Sequence, residues 1–145
     1  MDTMNEYLLA WNPKNWVWPT AQLDEVLATA GKPEATIMRW SCANVTAINA
    51  NDHFWIIRLG PDEPKGIFGH GTIVTGCYEA PHYSKPNKKC QHVDCRFDSI
   101  VDPRIQVEIH RETLLTDELL LKQNWSPQFS GQKIKPQVAR RLKTL

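Results

Sequence analysis

The 145-residue chain has the length and composition of one soluble domain, with 41% hydrophobic and 23% charged residues. Its formal net charge of +1 does not indicate any particular class of binding partner. No apolar run is long enough to span a bilayer, and MDTMNEYLLA lacks the basic start and apolar core of a signal peptide. We therefore predict a single domain over residues 1–145, cytoplasmic and without a membrane partner.

The hydrophobic patterns predict an α+β fold in chain order. The predicted strands are NEYLLAW (5–11), ATIMRWSC (35–42), HFWIIRLG (53–60), GIFGHGTIVTGCY (66–78) and HVDCRFDSIV (92–101), and IQVEI (105–109) is compatible with another. Helices are predicted over 21–30, capped by Thr20, near 110–121, and from Pro136 with Val138 and Leu142 on its inner face. VTAINAND (45–52) has room for a helical turn.

Four glycines lie inside the longest predicted strand: Gly66, Gly69, Gly71 and Gly76. Glycine within a strand marks a bulge, a sharp bend or a close backbone approach. We therefore expect a bent β-sheet or barrel of about five to six strands, surrounded by short α-helices.

The charge is unevenly distributed along the chain. No acidic residue follows Glu118, whereas six cations do: Lys122, Lys133, Lys135, Arg140, Arg141 and Lys143. A basic end of this kind suits nucleic acid or another polyanion, but a solvated helix face is the commoner explanation.

No sequence motif indicates catalysis or a metal site. A nucleophile elbow, a P-loop and the paired motifs of zinc deaminases are missing. Cys90, His92 and Cys95 lack finger-like spacing, and side chains alternate along a strand, so His92 and Cys95 should point to opposite faces. We predict no metal, no cofactor, free thiols and no enzymatic activity, although a site assembled from distant residues stays open.

The stretch AWNPKNWVWP holds three of the six tryptophans. It opens an ordered set of motifs: YLLAWNPKNWVW, RWSCAN, FWIIRLG with GIFGHGTIVT, HVDCRFDSIVDP and NWSPQFSGQKI. Between Tyr7 and Leu142 this set resembles the EVE-type branch of the PUA-like superfamily. It is most similar to the EVE-like modules fused to HNH nucleases in modification-dependent restriction enzymes.

The resemblance implies a PUA-like fold and a non-catalytic reader that flips a modified base into an aromatic cage. Methylated or hydroxymethylated cytosine in DNA is the first expectation, and N6-methyladenine is compatible with the same scaffold. The sequence has no counterpart of the nuclease half, so a nuclease partner would act in trans. An RNA-binding PUA-like module and a peptide-binding groove remain alternatives. An ASCH-like hydrolase or nuclease is a further alternative, although its Gly-x-Lys-x-x-Glu-x-Arg element is missing.

The related YTH domains suggest which residues form the cage. Their Trp-Cys/Ser-Ser/Thr element matches Trp40-Ser41-Cys42. The resemblance assigns a second wall to Tyr83, and polar contacts with the base edge to Asn12 and then Asn15. Trp11 and Trp16 belong either to the pocket or to the core. The predicted modified-base pocket is therefore Trp40, Ser41, Tyr83, Asn12, Trp16 and Trp11.

Contacts with the nucleic-acid backbone are expected from dispersed polar and cationic groups, which add affinity without sequence information. The predicted set is Lys14, Arg39, Arg58, Lys65, Lys89, Ser130 and Lys133.

Overall fold

A computed structural model of the chain describes residues 5–82 and 85–145. The strands are β1 (Glu6–Trp11), β2 (Ile37–Ser41), β3 (His53–Arg58), β4 (Gly66–Pro81), β5 (Lys89–Ile100), β6 (Ile109–His110) and β7 (Gln132–Lys133). The α-helices are α1 (Thr20–Thr29), α2 (Arg111–Thr116) and α3 (Pro136–Leu142), and a 3-10 turn covers Leu120–Lys122. Within these ranges, no helix is long and apolar enough to cross a membrane.

The seven strands form one bent sheet in the order β2-β5-β4-β3-β1-β7, with β6 paired to the start of β4. Among the strand pairs of the described residues, only β1 and β3 run parallel; the other pairs are antiparallel. The predicted α+β fold with a bent sheet is thus confirmed. The strand number exceeds the expected five to six because two short segments, β6 and β7, each pair over two residues.

Glycine and bulges in β4 explain the bend. Register shifts interrupt the β4–β5 ladder in three places between His70 and Tyr78. At Gly71 a Cβ would lie 2.0 Å from the Arg96 carbonyl oxygen, so only glycine permits this approach. The bend brings the two edges of the sheet together. A Cβ on Gly131, just before β7, would lie 3.0 Å from the Cys42 Cβ, just after β2.

The sheet buries a hydrophobic cluster on each face. One cluster includes Trp11, Trp18, Trp40, Phe54 and Phe97, covered by Leu23 and Val26 of α1. The other contains Trp55, Trp125, Val138 and Leu142, which confirms the predicted inner face of the last helix. Phe54 and Trp55 enter different clusters because neighbouring side chains in β3 point to opposite faces.

Several predicted boundaries were wrong. Thr20 is the first residue of α1 rather than its cap, Pro19 precedes it, and no side chain caps the helix. Segment 45–52 is not helical. In IQVEI only Ile109 joins a strand, and the predicted helix over 110–121 is a short α-helix followed by a separate 3-10 turn.

Candidate functional site

A cavity of about 620 Å³ opens at the free edge of β2, a volume typical of small-ligand sites. Its walls come from the loop after β1 (12–16), from β2, from the facing ends of β4 and β5, and from segment 127–130. Four consecutive β2 residues line it although their side chains alternate in direction: Met38, Arg39, Trp40 and Ser41. The cavity therefore wraps around the edge of this strand.

Trp16 and Trp40 form two walls at a right angle. Their ring centroids are 5.5 Å apart and the ring planes meet at 89°. The Trp40 indole is only 7% exposed, and its Nε1 donates to the Ala10 carbonyl at 3.1 Å. A flat ring that stacks on one of these indoles presents its edge to the other.

The remaining tryptophans of AWNPKNWVWP support these walls. Trp11 is buried, and its Nε1 donates to the Trp16 carbonyl at 3.0 Å, which fixes the loop that carries Trp16. Trp18 lies in the core with its centroid 5.1 Å from that of Trp40, and it does not line the cavity. Trp11 also lines the cavity, as predicted, so two of these three indoles contribute to its wall and Trp18 supports them from the core.

Asn12 lies on the cavity wall with a free amide group. Its Oδ1 accepts the Lys14 backbone N–H at 3.0 Å, and its carbonyl accepts the N–H groups of Asn15 and Trp16. These bonds shape the turn and leave the Asn12 side-chain NH2 group without a partner among the described residues. Asn12 can therefore donate a hydrogen bond to a ligand.

His92 and Cys90 line the same cavity from β5. His92 is 4% exposed; burial lowers its pKa, and its Nδ1 donates to the Cys90 carbonyl at 3.0 Å. Burial raises the pKa of the Cys90 thiol. Cys95 lies in the core on the opposite face, as strand alternation predicted, and all four cysteines are free thiols. Burial thus favours the uncharged form of both the imidazole and the thiol on this wall.

Segment 127–130 closes the cavity opposite β5. Phe129 lines it while remaining 48% exposed. The Ser130 hydroxyl accepts the Ala10 backbone N–H at 3.0 Å, which ties the segment to β1. Sequence reasoning placed Ser130 here but missed Phe129 and His92. An aromatic residue within the polar run SPQFSG was the available signal for Phe129.

Positive charge lies around the mouth of the cavity. Exposed Arg39 lines it, exposed Lys14 sits in the loop between Asn12 and Trp16, and exposed Lys89 precedes Cys90. Lys85 and Lys88, also exposed, follow in the same β4–β5 hairpin. No aspartate or glutamate is among the described residues that line the cavity.

Three residues that were predicted to contact the nucleic-acid backbone do not line the cavity: Arg58, Lys65 and Lys133. Arg58 is 9% exposed, donates to the Pro103 carbonyl at 2.7 Å and lies 5.8 Å from the Trp11 ring centroid, so it supports the fold. Lys65 precedes β4 beside Arg111, and Lys133 pairs with Tyr7 in β7; neither lines the cavity. Tyr83 lies outside the described residues, although its neighbour His82 lines the cavity.

Part of the basic C-terminal stretch is neutralised within the fold. Arg141 pairs with Asp117 at 2.7 Å, and Lys143 pairs with Glu6 at 2.8 Å. These two cations therefore have intramolecular partners.

The fold and the cavity define an α+β protein with a bent sheet and an aromatic-lined cavity. No family model matches the chain, and no curated protein matches its sequence. The fold is shared with several solved structures of low sequence identity. A Pseudomonas putida protein is 13% identical over 96% of this chain and 97% of its own, with a TM-score of 0.61. Rpa0253 from Rhodopseudomonas palustris is 18% identical over 97% and 92%, with a TM-score of 0.60.

The third structure is human THYN1 in complex with DNA that contains 5-methylcytosine. It is 13% identical to this chain, covering 97% of this chain and 96% of its own, with a TM-score of 0.58. At this identity the likeness establishes a common fold.

Proposed function

We propose that this chain is a non-catalytic reader of modified nucleobases of the EVE type, which holds an extruded DNA base in the cavity beside Trp16 and Trp40. The observation that carries the proposal is the pair of perpendicular indoles in a cavity of about 620 Å³. 5-Methylcytosine is the first candidate base, and 5-hydroxymethylcytosine and N6-methyladenine suit the same scaffold. Cleavage of the bound DNA would require a nuclease in trans.

The energetics of base extrusion explain why several aromatic groups are needed. Extruding a base costs a few kcal/mol, and stacking on one aromatic side chain contributes roughly 1–3 kcal/mol. Trp16 and Trp40 supply two surfaces, Phe129 lies at the mouth as a third, and we assign Tyr83 to a further wall. Full burial of one methyl group adds about 0.8 kcal/mol, roughly a fourfold preference, which a cage shaped around the methyl would increase.

The charges at the cavity favour binding over hydrolysis. Arg39, Lys14 and Lys89 suit the phosphates that flank an extruded nucleotide, and the Ser130 hydroxyl can donate to another. An ASCH-like hydrolase would need converging lysine and carboxylate groups for acid–base chemistry. The described lining residues include no carboxylate, which supports a binding role.

The structural similarity to human THYN1 supports DNA as the nucleic acid that we propose for this chain. That protein forms a complex with 5-methylcytosine-containing DNA, and its fold matches nearly the whole of this chain. The same fold with an aromatic cavity supports a related ligand here.

Fluorescence polarisation tests the proposal with duplexes that differ at one base: cytosine, 5-methylcytosine, 5-hydroxymethylcytosine or N6-methyladenine. We expect one modified duplex to bind about tenfold tighter than the unmodified one. Trp16→Ala and Trp40→Phe should remove most of that preference. Val17→Ala is the matched control, because Val17 follows Trp16, is 79% exposed and does not line the cavity. If all four duplexes bound equally and in a salt-sensitive manner, and Trp16→Ala had no effect, the protein would bind only the DNA backbone and would not recognise a modified base.

A further inference from the structure

The cavity wall contains a hydrogen-bond acceptor whose direction is fixed. His92 Nδ1 lies 3.0 Å from the Cys90 carbonyl oxygen. Since a carbonyl oxygen can only accept, Nδ1 must carry the proton of the imidazole. In the neutral ring Nε2 is then an acceptor.

Several features keep this ring neutral and its Nε2 available. The side chain is 4% exposed and lines the cavity, and burial disfavours the imidazolium form. Among the described residues, the group near Nε2 is the Cys90 thiol, whose sulfur is 4.0 Å away and forms at most a weak contact. Charged and titratable groups from each adjacent element face the ring: Arg39 from β2, Tyr78 from β4, His82 just after β4, and Cys90 and Asp94 from β5.

Ser41, the residue opposite His92 on β2, lacks this fixed polarity. It is paired directly with His92 across the β2–β5 ladder and lines the same cavity. Its hydroxyl can rotate to donate or to accept, so it satisfies either kind of base edge. Of these two groups, His92 is therefore the one that can discriminate between base edges.

We propose that His92 Nε2 accepts a hydrogen bond from the exocyclic amino group of the bound base, so that the cavity selects cytosine- and adenine-derived bases against keto bases. This inference rests on the proposed reader function. Thymine and uracil place a carbonyl oxygen where cytosine has its amino group. Two acceptors would then face each other in a buried site, and both would lose their hydrogen bonds to water.

The test uses oligonucleotide duplexes in which the variable base lies opposite an abasic site, so that no base pair must be broken. The four variable bases are cytosine, 5-methylcytosine, uracil and thymine. The first two carry the amino group, and 5-methylcytosine and thymine carry the methyl group, so the effects of the two groups on affinity can be measured separately. We expect wild type to bind 5-methylcytosine about tenfold tighter than thymine. His92→Phe, which keeps a ring but loses the acceptor, should bring that ratio to about one while leaving the ratio of 5-methylcytosine to cytosine in place. His110→Phe is the matched control, because His110 is exposed and does not line the cavity.

A wild type that prefers methylated bases but binds 5-methylcytosine and thymine equally would overturn this inference and leave the reader function intact. An amino preference that persists in His92→Phe would overturn it too. If wild type preferred none of 5-methylcytosine, 5-hydroxymethylcytosine and N6-methyladenine over the corresponding unmodified base, the reader function itself would be removed.

Nitrogen-15 NMR of the wild-type imidazole gives a second readout that does not depend on the folding of a variant. The expected spectrum shows protonated Nδ1 and unprotonated Nε2, and the Nε2 resonance moves on addition of the 5-methylcytosine duplex but not of the thymine duplex. A protonated Nε2 in the free protein would overturn the inference.

Discussion

The indole of Trp40 is held by the backbone of Ala10, since its Nε1 donates to the Ala10 carbonyl at 3.1 Å. The N–H of the same residue donates to the Ser130 hydroxyl at 3.0 Å. One residue of β1 thus connects a cavity wall to segment 127–130, which carries Phe129. Ala10 thus positions both sides of the proposed site: its carbonyl oxygen holds Trp40, and its N–H holds segment 127–130.

Ser130→Ala should therefore weaken both the fold and the site. The Ala10 N–H would lose its partner, and we expect the free energy of unfolding to fall by about 1 kcal/mol in urea denaturation. Affinity for the preferred duplex should fall as well, because Phe129 is no longer anchored. Ser126→Ala is the control, since Ser126 is exposed in the same loop and does not line the cavity. Equal effects of the two substitutions would contradict this account.

Phe129→Ala should reduce affinity with little change in stability. The ring is 48% exposed, so its removal leaves no cavity in the core, but it deprives the bound base of a stacking surface. We expect a loss of about fivefold or more in polarisation titrations, with Phe129→Tyr close to wild type. If Phe129→Ala binds like wild type, the base does not reach the mouth of the cavity.

The sequence predicted the fold and several residues of the cavity lining because its signals there are local. Alternation along a single strand placed His92 and Cys95 on opposite faces. The position of Arg58 depends on a long-range contact, the Pro103 carbonyl, and no pattern along the chain shows that contact. A cation beside an aromatic strand therefore suggested a phosphate ligand, whereas the fold uses it against Trp11.

The short strands β6 and β7 were missed for a related reason. Each pairs over only two residues, so neither is long enough to show an alternating pattern. β7 nevertheless positions Ser130 and Phe129, because the Gly131 N–H donates to the Leu8 carbonyl at 2.9 Å. Part of the candidate site thus depended on an element that periodicity could not predict.

Arg39→Gln and Lys133→Gln separate the cations at the cavity from those elsewhere. Arg39 lines the mouth and has no ion pair among the described residues, whereas Lys133 lies on β7 and does not line the cavity. Arg39→Gln should weaken binding to modified and unmodified duplexes alike and lower the slope of log K against log salt by about 0.9. Lys133→Gln should leave the slope unchanged. A larger effect of Lys133→Gln, measured over a salt series, would move the DNA path away from the cavity.

The stability of the fold should depend on pH through His92. Its pKa is lowered in the folded state, chiefly by burial, so below its ordinary value of 6.5 the unfolded chain binds a proton that the folded chain resists. The His92 contribution is therefore complete above pH 6.5 and is lost as the pH falls towards the lowered pKa. Urea denaturation over this window should show the free energy of unfolding rising with pH in wild type.

His92→Phe should flatten that dependence, because phenylalanine has no proton to bind. His110→Phe is again the comparison, since His110 is exposed and does not line the cavity. If His92→Phe and wild type have parallel stability curves between pH 5 and pH 7, the imidazole is not held neutral by burial. The acceptor that we assign to base discrimination would then be a donor over much of this range.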